Sequence, residues 1–88
     1  MTRAALLLKV RQVAADIFGC ALAEITPESA PGTIEQWDSM QQLNLVLALE
    51  QSFGVTFLPE DIAEFLSIEV IELILEEKLG LARAGGQA

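Results

Sequence analysis

The side chain best suited to chemistry in this sequence is a serine, Ser39, in the run Gln36-Trp37-Asp38-Ser39-Met40. Aspartate is a favoured N-cap residue, so the pattern predicts that a helix begins at Ser39. The hydroxyl would then face solvent at the positive end of the helix dipole, which tolerates an attached phosphate group. Because Asp-Ser opens many helices for capping reasons alone, the pair is also compatible with a purely structural role.

Most catalytic arrangements are excluded by composition. Histidine is absent, which removes the commonest general base and metal ligand, and with it any Ser-His-Asp triad or Cys-His pair. The single cysteine, Cys20, and the scattered carboxylates have no zinc spacing, and the sequence has no phosphate-cradling glycine loop or calcium loop. Two-carboxylate chemistry stays open, although no pattern brings a pair into a cleft. We therefore expect a protein that is not an enzyme and binds no metal.

Charge is distributed unevenly along the chain. The 88 residues carry a net charge of −8, and all 13 acidic residues lie between Asp16 and Glu77, a span without Lys or Arg. Phosphate binding needs clustered cations, so nucleic acid and anionic membranes are poor partners. A basic patch on a partner protein would be attracted. The alternative is an acidic surface that only keeps a small protein soluble.

Length and composition predict one folded domain over 1–80 and a disordered tail over 81–88. Lys9 and Arg11 interrupt the first apolar run, which therefore reads as a helix rather than a signal peptide, and no apolar stretch is long enough to span a membrane. One cysteine allows no intramolecular disulfide, which fits a reducing compartment. We expect a cytoplasmic monomer.

Apolar periodicity and helix punctuation predict an all-α four-helix bundle with a short third helix and a long loop between helices one and two. Ile25 and Ile34 are expected to pin this loop, and Gln41 lies where a capping box would place its return partner. The predicted elements are helices over 2–19, 39–53, 59–65 and 68–78, with one helical turn at 26–28. The side chains expected to face the core are Leu6, Val10, Val13 and Ile17 on the first helix, with Leu7, Ala14 and Phe18 widening this stripe, and Val70, Ile71, Ile74 and Leu75 on the fourth.

The second helix is apolar almost all the way round. The residues that can enter the core are Leu45, Val46, Leu49 and Phe53. A neighbouring face then points elsewhere, one to two turns from Ser39, and an exposed apolar strip beside an exposed serine indicates a docking surface. That strip, called the apolar strip below, consists of Met40, Leu43 and Leu47. The alternative is a central helix that is buried on every side.

From Asp38-Ser39-Met40 through Phe53-Gly54-Val55, the sequence resembles the signature of the acyl carrier proteins. The resemblance covers about residues 4–79 and includes the long first loop, the short third helix and the apolar fourth helix. It implies that a separate phosphopantetheinyl transferase, with magnesium, adds 4′-phosphopantetheine from coenzyme A to Ser39. The arm's thiol would carry an acyl group as a thioester, and the protein would deliver it to acyl-processing enzymes and catalyse nothing itself.

The resemblance also implies roles for individual residues. Asp38 would help to position the transferase and its metal besides capping the helix. The positions that match partner contacts are Met40, Leu43, Leu47 and Glu50. In the family, acyl chains can enter the bundle between the second and fourth helices, and the matching positions are Val46, Leu49, Ile62, Phe65, Ile71 and Ile74.

The sequence departs from typical fatty acid biosynthesis carriers in three ways. Glu50 is the only acidic residue of the second helix after Ser39, so apolar contact should count for more in docking. Trp37 looks more like stand-alone carriers of specialised pathways, including some that carry amino acids, although it could equally pack against the loop. Bulky Ile62 and Phe65 could shorten or close an acyl cavity. An acidic helical interaction module without a prosthetic group is the remaining alternative.

Overall fold

Residues 2–80, the part of the chain that the computed structural model describes, form four α-helices and one short 3-10 helix. The all-α bundle with a short third helix and a long first loop is therefore confirmed. The predicted disordered tail over 81–88 lies outside the described residues. In chain order the elements are α1 (Arg3–Phe18), the 3-10 helix (Leu22–Glu24), α2 (Ser39–Phe53), α3 (Pro59–Ala63) and α4 (Ile68–Leu79).

Local capping sets the helix boundaries. Thr2, Asp38 and Ser67 begin α1, α2 and α4, each accepting a backbone N–H from three residues on, at 3.1, 2.9 and 3.3 Å. These three helices end at glycines with φ between 67° and 69°, a left-handed conformation that other residues rarely adopt. Within residues 2–80, no helix is long and apolar enough to cross a membrane.

Helix α1 packs against both α2 and α4, and the core lies between these three helices. The buried stripe of α1 runs through Leu6, Val10, Ala14 and Phe18, all expected there, whereas the other expected residues, Leu7, Val13 and Ile17, are only half-buried. The fully buried side chains of the three helices include Leu6, Val10, Leu45, Leu49, Ile68, Ile71 and Leu75.

The buried face of α4 differs from the prediction. Ile71 and Leu75 are in the core as expected, but Val70 and Ile74 are only half-buried. Two glutamates, Glu72 and Glu76, are buried instead, because this side of α4 faces arginines of α1. Relative to the predicted orientation, α4 is thus turned about its axis, which places two carboxyl groups inside the bundle.

The loop between α1 and α2 is fixed at several points. Ile25 and Ile34 are buried, as predicted. The segment at 26–28, predicted as a helical turn, forms a non-helical turn in which the Ser29 N–H donates to the Thr26 carbonyl at 3.0 Å. The 3-10 helix of this loop lies earlier, at Leu22–Glu24. The Ser29 carbonyl in turn accepts the N–H of Ile68 at 2.9 Å, so the loop is bonded to the start of α4.

Helix α3 is shorter than predicted and ends at Ala63. Its first turn is held by the Asp61 carboxylate, which accepts the Leu58 N–H at 2.9 Å. The chain then turns, with the Phe65 N–H bonded to the Ile62 carbonyl at 3.1 Å. This turn directs the Phe65 ring into the bundle, where the residue is only 1% exposed.

Candidate functional site

Ser39 is exposed at the first position of α2. The preceding Asp38 is also exposed, and its Oδ1 accepts the Gln41 N–H at 2.9 Å. This cap ends the long loop and starts the helix directly at the serine. The hydroxyl therefore lies in the open at the positive end of the helix dipole, where a phosphate ester is electrostatically favoured.

Two glutamines fasten the first turn of α2 to its neighbours. The Gln41 side-chain amide donates to the Ile17 carbonyl at 2.9 Å, at the end of α1. The capping-box prediction is therefore wrong, because this amide bonds to another helix. Gln42 forms a bridge between the loop and α3, since its Oε1 accepts the Trp37 indole N–H at 2.6 Å and its Nε2 donates to the Ile62 carbonyl at 3.4 Å.

Trp37 is buried and packs against the end of α1. Its ring lies 5.1 Å from the Phe18 ring, centroid to centroid, with the planes tilted by 31°. Trp37 therefore has a packing role, as one of its two interpretations expected, but its aromatic partner lies on α1 rather than in the loop. The indole also forms part of the wall of an adjacent cleft.

A cleft of about 460 Å³ opens beside Ser39, between the start of α2 and the α3 region. Its lining is predominantly apolar, and Asp38, Ser39 and Gln42 supply the polar side chains. The apolar lining residues are Pro31, Trp37, Ile62, Ala63, Phe65 and Leu66. A group attached to Ser39 therefore has an apolar space directly beside its point of attachment.

The six predicted acyl-pocket residues are divided between the cleft and the core. Ile62 and Phe65 line the cleft. The other four do not line it. Three of them, Val46, Leu49 and Ile71, are buried in the core, and Ile74 is half-buried. The structure thus brings two of the six next to Ser39, and their role in holding cargo stays a prediction.

The apolar strip of α2 is exposed. Met40, Leu43 and Leu47 are 68%, 55% and 51% accessible, which rules out the alternative of a helix buried on every side. Leu66, which is 67% exposed at the rim of the cleft, adds an apolar residue that the sequence interpretation missed. Leu66 directly precedes the N-cap Ser67, a position at which an apolar residue commonly packs against the first turns of the helix. The local sequence therefore does not indicate that its side chain is exposed.

Glu50, the predicted acidic contact on α2, is half-buried and has a structural partner. Its Oε2 accepts the Phe57 N–H at 2.9 Å, which fixes the segment after α2 against the helix. A role in partner binding stays a prediction. The exposed face of α2 around the apolar strip consists of neutral side chains, including Asn44 and Gln51.

Within residues 2–80, all four basic side chains contact groups of the bundle itself. Lys78 bonds to Asp61 at 2.9 Å, and this hydrogen bond, with that from the Leu58 N–H, holds the pKa of Asp61 below its usual value. The remaining contacts are Arg3 with Glu76, Arg11 with Glu72 at 3.8 Å, and Lys9 with the Ser52 carbonyl at 2.8 Å. The acids left exposed give the surface a field that favours basic partners.

The other reactive candidates are unfavourably placed. Cys20 is half-buried, and burial followed by the charge of Glu24 raises the pKa of its thiol, which disfavours the nucleophilic thiolate. In the described part of the chain, no group of three or more Cys, Asp and Glu side chains could hold a metal ion. Ser39 is therefore the residue on which a functional hypothesis can be built.

Comparison with known proteins identifies similar chains, among them two acyl carrier proteins. An acyl carrier protein from Rubrobacter xylanophilus is 27% identical over 79 residues, which cover 89% of this chain and 98% of that protein. An acyl carrier protein from Petrotoga mobilis is 28% identical over 81 residues, which cover 92% of this chain and 95% of that protein. No family model matches the chain. Both relatives are carriers rather than enzymes and extend over almost the whole described fold.

Proposed function

We propose that this chain, like the acyl carrier proteins to which it is similar, holds acyl groups as thioesters on a 4′-phosphopantetheine arm attached to Ser39. The observation that carries the proposal is the position of this serine, exposed at the first turn of α2 and beside an apolar cleft. In the attachment step, the Ser39 oxygen would form the phosphodiester with phosphopantetheine, and the adenosine bisphosphate of coenzyme A would leave. The arm supplies a terminal thiol for thioester formation.

The residues around Ser39 fit such an arm. The hydroxyl lies at a helix N-terminus, whose dipole offsets part of the charge of a phosphodiester. Asp38 is exposed beside it, so its carboxylate can contact a transferase and its magnesium while still capping α2. Gln41 and Gln42 hold this turn against α1, the loop and α3, which would keep the attachment point fixed while the arm moves.

Partner enzymes would dock on the apolar strip. Its three side chains are exposed one to two turns from Ser39, so an enzyme bound there would have its active site within reach of the arm. Exposed acidic side chains elsewhere on the bundle, such as Glu60 and Glu64, would speed association with partners that carry basic patches. Exposed charge pairs add little to affinity, so the complexes would form fast and dissociate easily.

The direct test is modification by a broad-specificity phosphopantetheinyl transferase with coenzyme A and magnesium. We expect the intact mass of the wild-type protein to rise by one arm and that of Ser39→Ala to stay unchanged. Ser52→Ala, a matched substitution at the other end of α2, should be modified like wild type. Circular dichroism would show that both variants retain the helical fold.

Two outcomes would overturn the proposal: a wild-type protein that several transferases leave unmodified, or a Ser39→Ala variant that still gains the arm. Intact mass of protein from its native host gives a second measurement. An unmodified polypeptide mass there would favour an interaction module without a prosthetic group. A loaded form would identify the cargo and thereby distinguish a fatty acyl group from an amino acid.

A further inference from the structure

The cleft beside Ser39 ends before it reaches the centre of the bundle. Its inner wall is the Phe65 ring, which is 1% exposed and packs edge-on against the Phe57 ring, with centroids 5.1 Å apart. The core side chains behind this wall do not line the cleft. An acyl chain that enters beside Ser39 would therefore have to displace a fully packed aromatic pair to go deeper.

The Gln42 bridge closes the same route from the α2 side. Its amide accepts the Trp37 indole N–H at 2.6 Å and reaches the Ile62 carbonyl at 3.4 Å, so it ties together both walls of the cleft. An inward-moving chain that displaced the amide would leave the buried indole N–H without its acceptor. That state is unfavourable, because a buried donor has lost its water and gained no replacement.

The lining also restricts the chemistry of the cargo. Pro31, Ile62 and Leu66 offer apolar contact, and no cation is among the lining residues. Asp38 lies at the mouth, where its carboxylate would repel an acyl group that carries a second carboxylate. An uncharged acyl group therefore fits this space best.

We propose that the cleft shelters a short, uncharged acyl group and that Phe65 and the Gln42 bridge stop longer chains from entering the core. The inference rests on the proposed function, since it assumes cargo attached at Ser39. Ile62 and Phe65 also belong to the acyl pocket that the family resemblance implies, but the other four residues of that pocket do not line the cleft. Gln42 is then a positioning residue that sets the chain length.

Trp37 provides a direct probe, because it is the only tryptophan in the sequence and forms a wall of the cleft. The holo-protein would be loaded with acetyl, butyryl, octanoyl and dodecanoyl groups. We expect butyryl loading to shift the Trp37 indole N–H resonance and to slow thioester hydrolysis several-fold relative to free butyryl-pantetheine. The dodecanoyl form should gain no further protection. Methyl shifts at Val46, Leu49 and Ile71 in that form would overturn the proposal, as would a Trp37 resonance that no cargo alters.

Substitution of Gln42 tests the bridge itself. Gln42→Leu keeps the side-chain size and removes both hydrogen bonds, so we expect octanoyl and dodecanoyl thioesters to become protected. Gln51→Leu makes the same change at an exposed position of α2 and should behave like wild type. A well-folded Gln42→Leu protein with an unchanged chain-length profile would contradict the assigned role. If this variant does not fold, the wild-type loading series decides the proposal.

A second route separates this inference from the proposed function. In a Cys20→Ala background, Ser39→Cys introduces a single thiol that alkyl iodoacetamides of increasing chain length can modify without any transferase. Short alkyl groups should shift the Trp37 resonance, and longer groups should add no core shifts. If transferases leave wild type unmodified while these alkyl groups occupy the cleft, the proposed function fails and the cleft assignment stands. If Ser39 is modified but no attached chain affects Trp37, only the cleft assignment fails.

Discussion

The α1–α4 interface and the exposed face of α2 distribute polarity in opposite ways. At the interface, Glu72 and Glu76 are 5% and 0% exposed and face the arginines Arg11 and Arg3. On α2, by contrast, leucines face solvent beside Ser39. Charges buried between two helices belong to the fixed scaffold, whereas apolar groups that remain exposed on the third are available to partners. The two regions should therefore respond differently to substitution.

The buried charges are incompletely satisfied. The Arg11 Nε and the Glu72 Oε2 are 3.8 Å apart, and among residues 2–80 neither of these buried atoms makes a hydrogen bond. Burial raises the pKa of Glu72 to about 7, and the nearby positive charge of Arg11 lowers it by less. The interface thus holds a carboxyl group whose ionisation near neutral pH opposes folding.

Removal of Arg3 should have the largest effect on the interface. Arg3→Ala takes away a cation that offsets the burial of Glu76, and loss of one member of a buried pair typically costs about 3–5 kcal/mol. Because Arg3 itself is half-exposed, we expect a loss of about 2–3 kcal/mol in the free energy of unfolding, measured by urea titration. Ser39 modification should proceed at the wild-type rate.

The double variant Arg3→Ala/Glu76→Gln is the matched control for this prediction. If the cost comes from the buried charge, neutralising Glu76 should recover part of the lost stability, because the two residues are directly coupled. An Arg3→Ala protein as stable as wild type, or one modified more slowly at Ser39 under folded conditions, would break the contrast between the two regions.

Glu72 should make stability depend on pH. The pKa of Glu72 in the folded protein, about 7, lies above its ordinary value of 4.5, so the contribution of the protonated side chain to stability is full below pH 4.5 and is lost as the pH rises through 7. Arg11 and Arg3 on α1 favour the charged form, while Glu76 and Glu69 on α4 oppose it. At pH 8 the wild-type protein should therefore carry a penalty that is much smaller at pH 5.

Glu72→Gln removes that penalty with little change of shape. We expect the variant to be about 2 kcal/mol more stable than wild type at pH 8 and to match it within about 0.5 kcal/mol at pH 5, by urea titration. Glu77→Gln, at an exposed position of α4 whose charge is not among those that shift the pKa of Glu72, should show no such difference between the two pH values. A Glu72→Gln curve parallel to that of wild type from pH 5 to pH 8 would contradict the prediction.

The helix boundaries could be predicted because they depend on neighbouring residues. Asp38 with Ser39, and Gly54 at the end of α2, determine that helix through capping and a left-handed terminus. The exposure of Leu43 and Leu47 was also predictable, since one short bundle cannot bury every side of an apolar helix. The resemblance to acyl carrier proteins, which the two relatives support, rests on this same segment.

The buried face of α4 and the cleft were not predictable in the same way. An apolar pattern assigns Val70 and Ile74 to the core, and only the distant Arg11 on α1 makes burial of Glu72 tolerable. The cleft is likewise built from separate loops, with Leu66 at its rim and the Gln42 bridge on its inner side. Periodicity within one segment carries no information about such packing between segments.

Substitution of the apolar strip should give the smallest free-energy change of these predictions. It tests most directly whether the exposed face of α2, unlike the α1–α4 interface, serves docking rather than stability. Leu43→Ser/Leu47→Ser removes exposed apolar contacts near Ser39, so we expect kcat/KM for a phosphopantetheinyl transferase to fall about tenfold, or about 1.4 kcal/mol. Stability should change by less than about 0.5 kcal/mol per site, because neither side chain belongs to the core. Leu8→Ser, at a 49% exposed position of α1, is the matched control and should leave both quantities unchanged. If Leu8→Ser slows modification as much as the double substitution, docking is not confined to α2, and the functional distinction between the two regions does not hold.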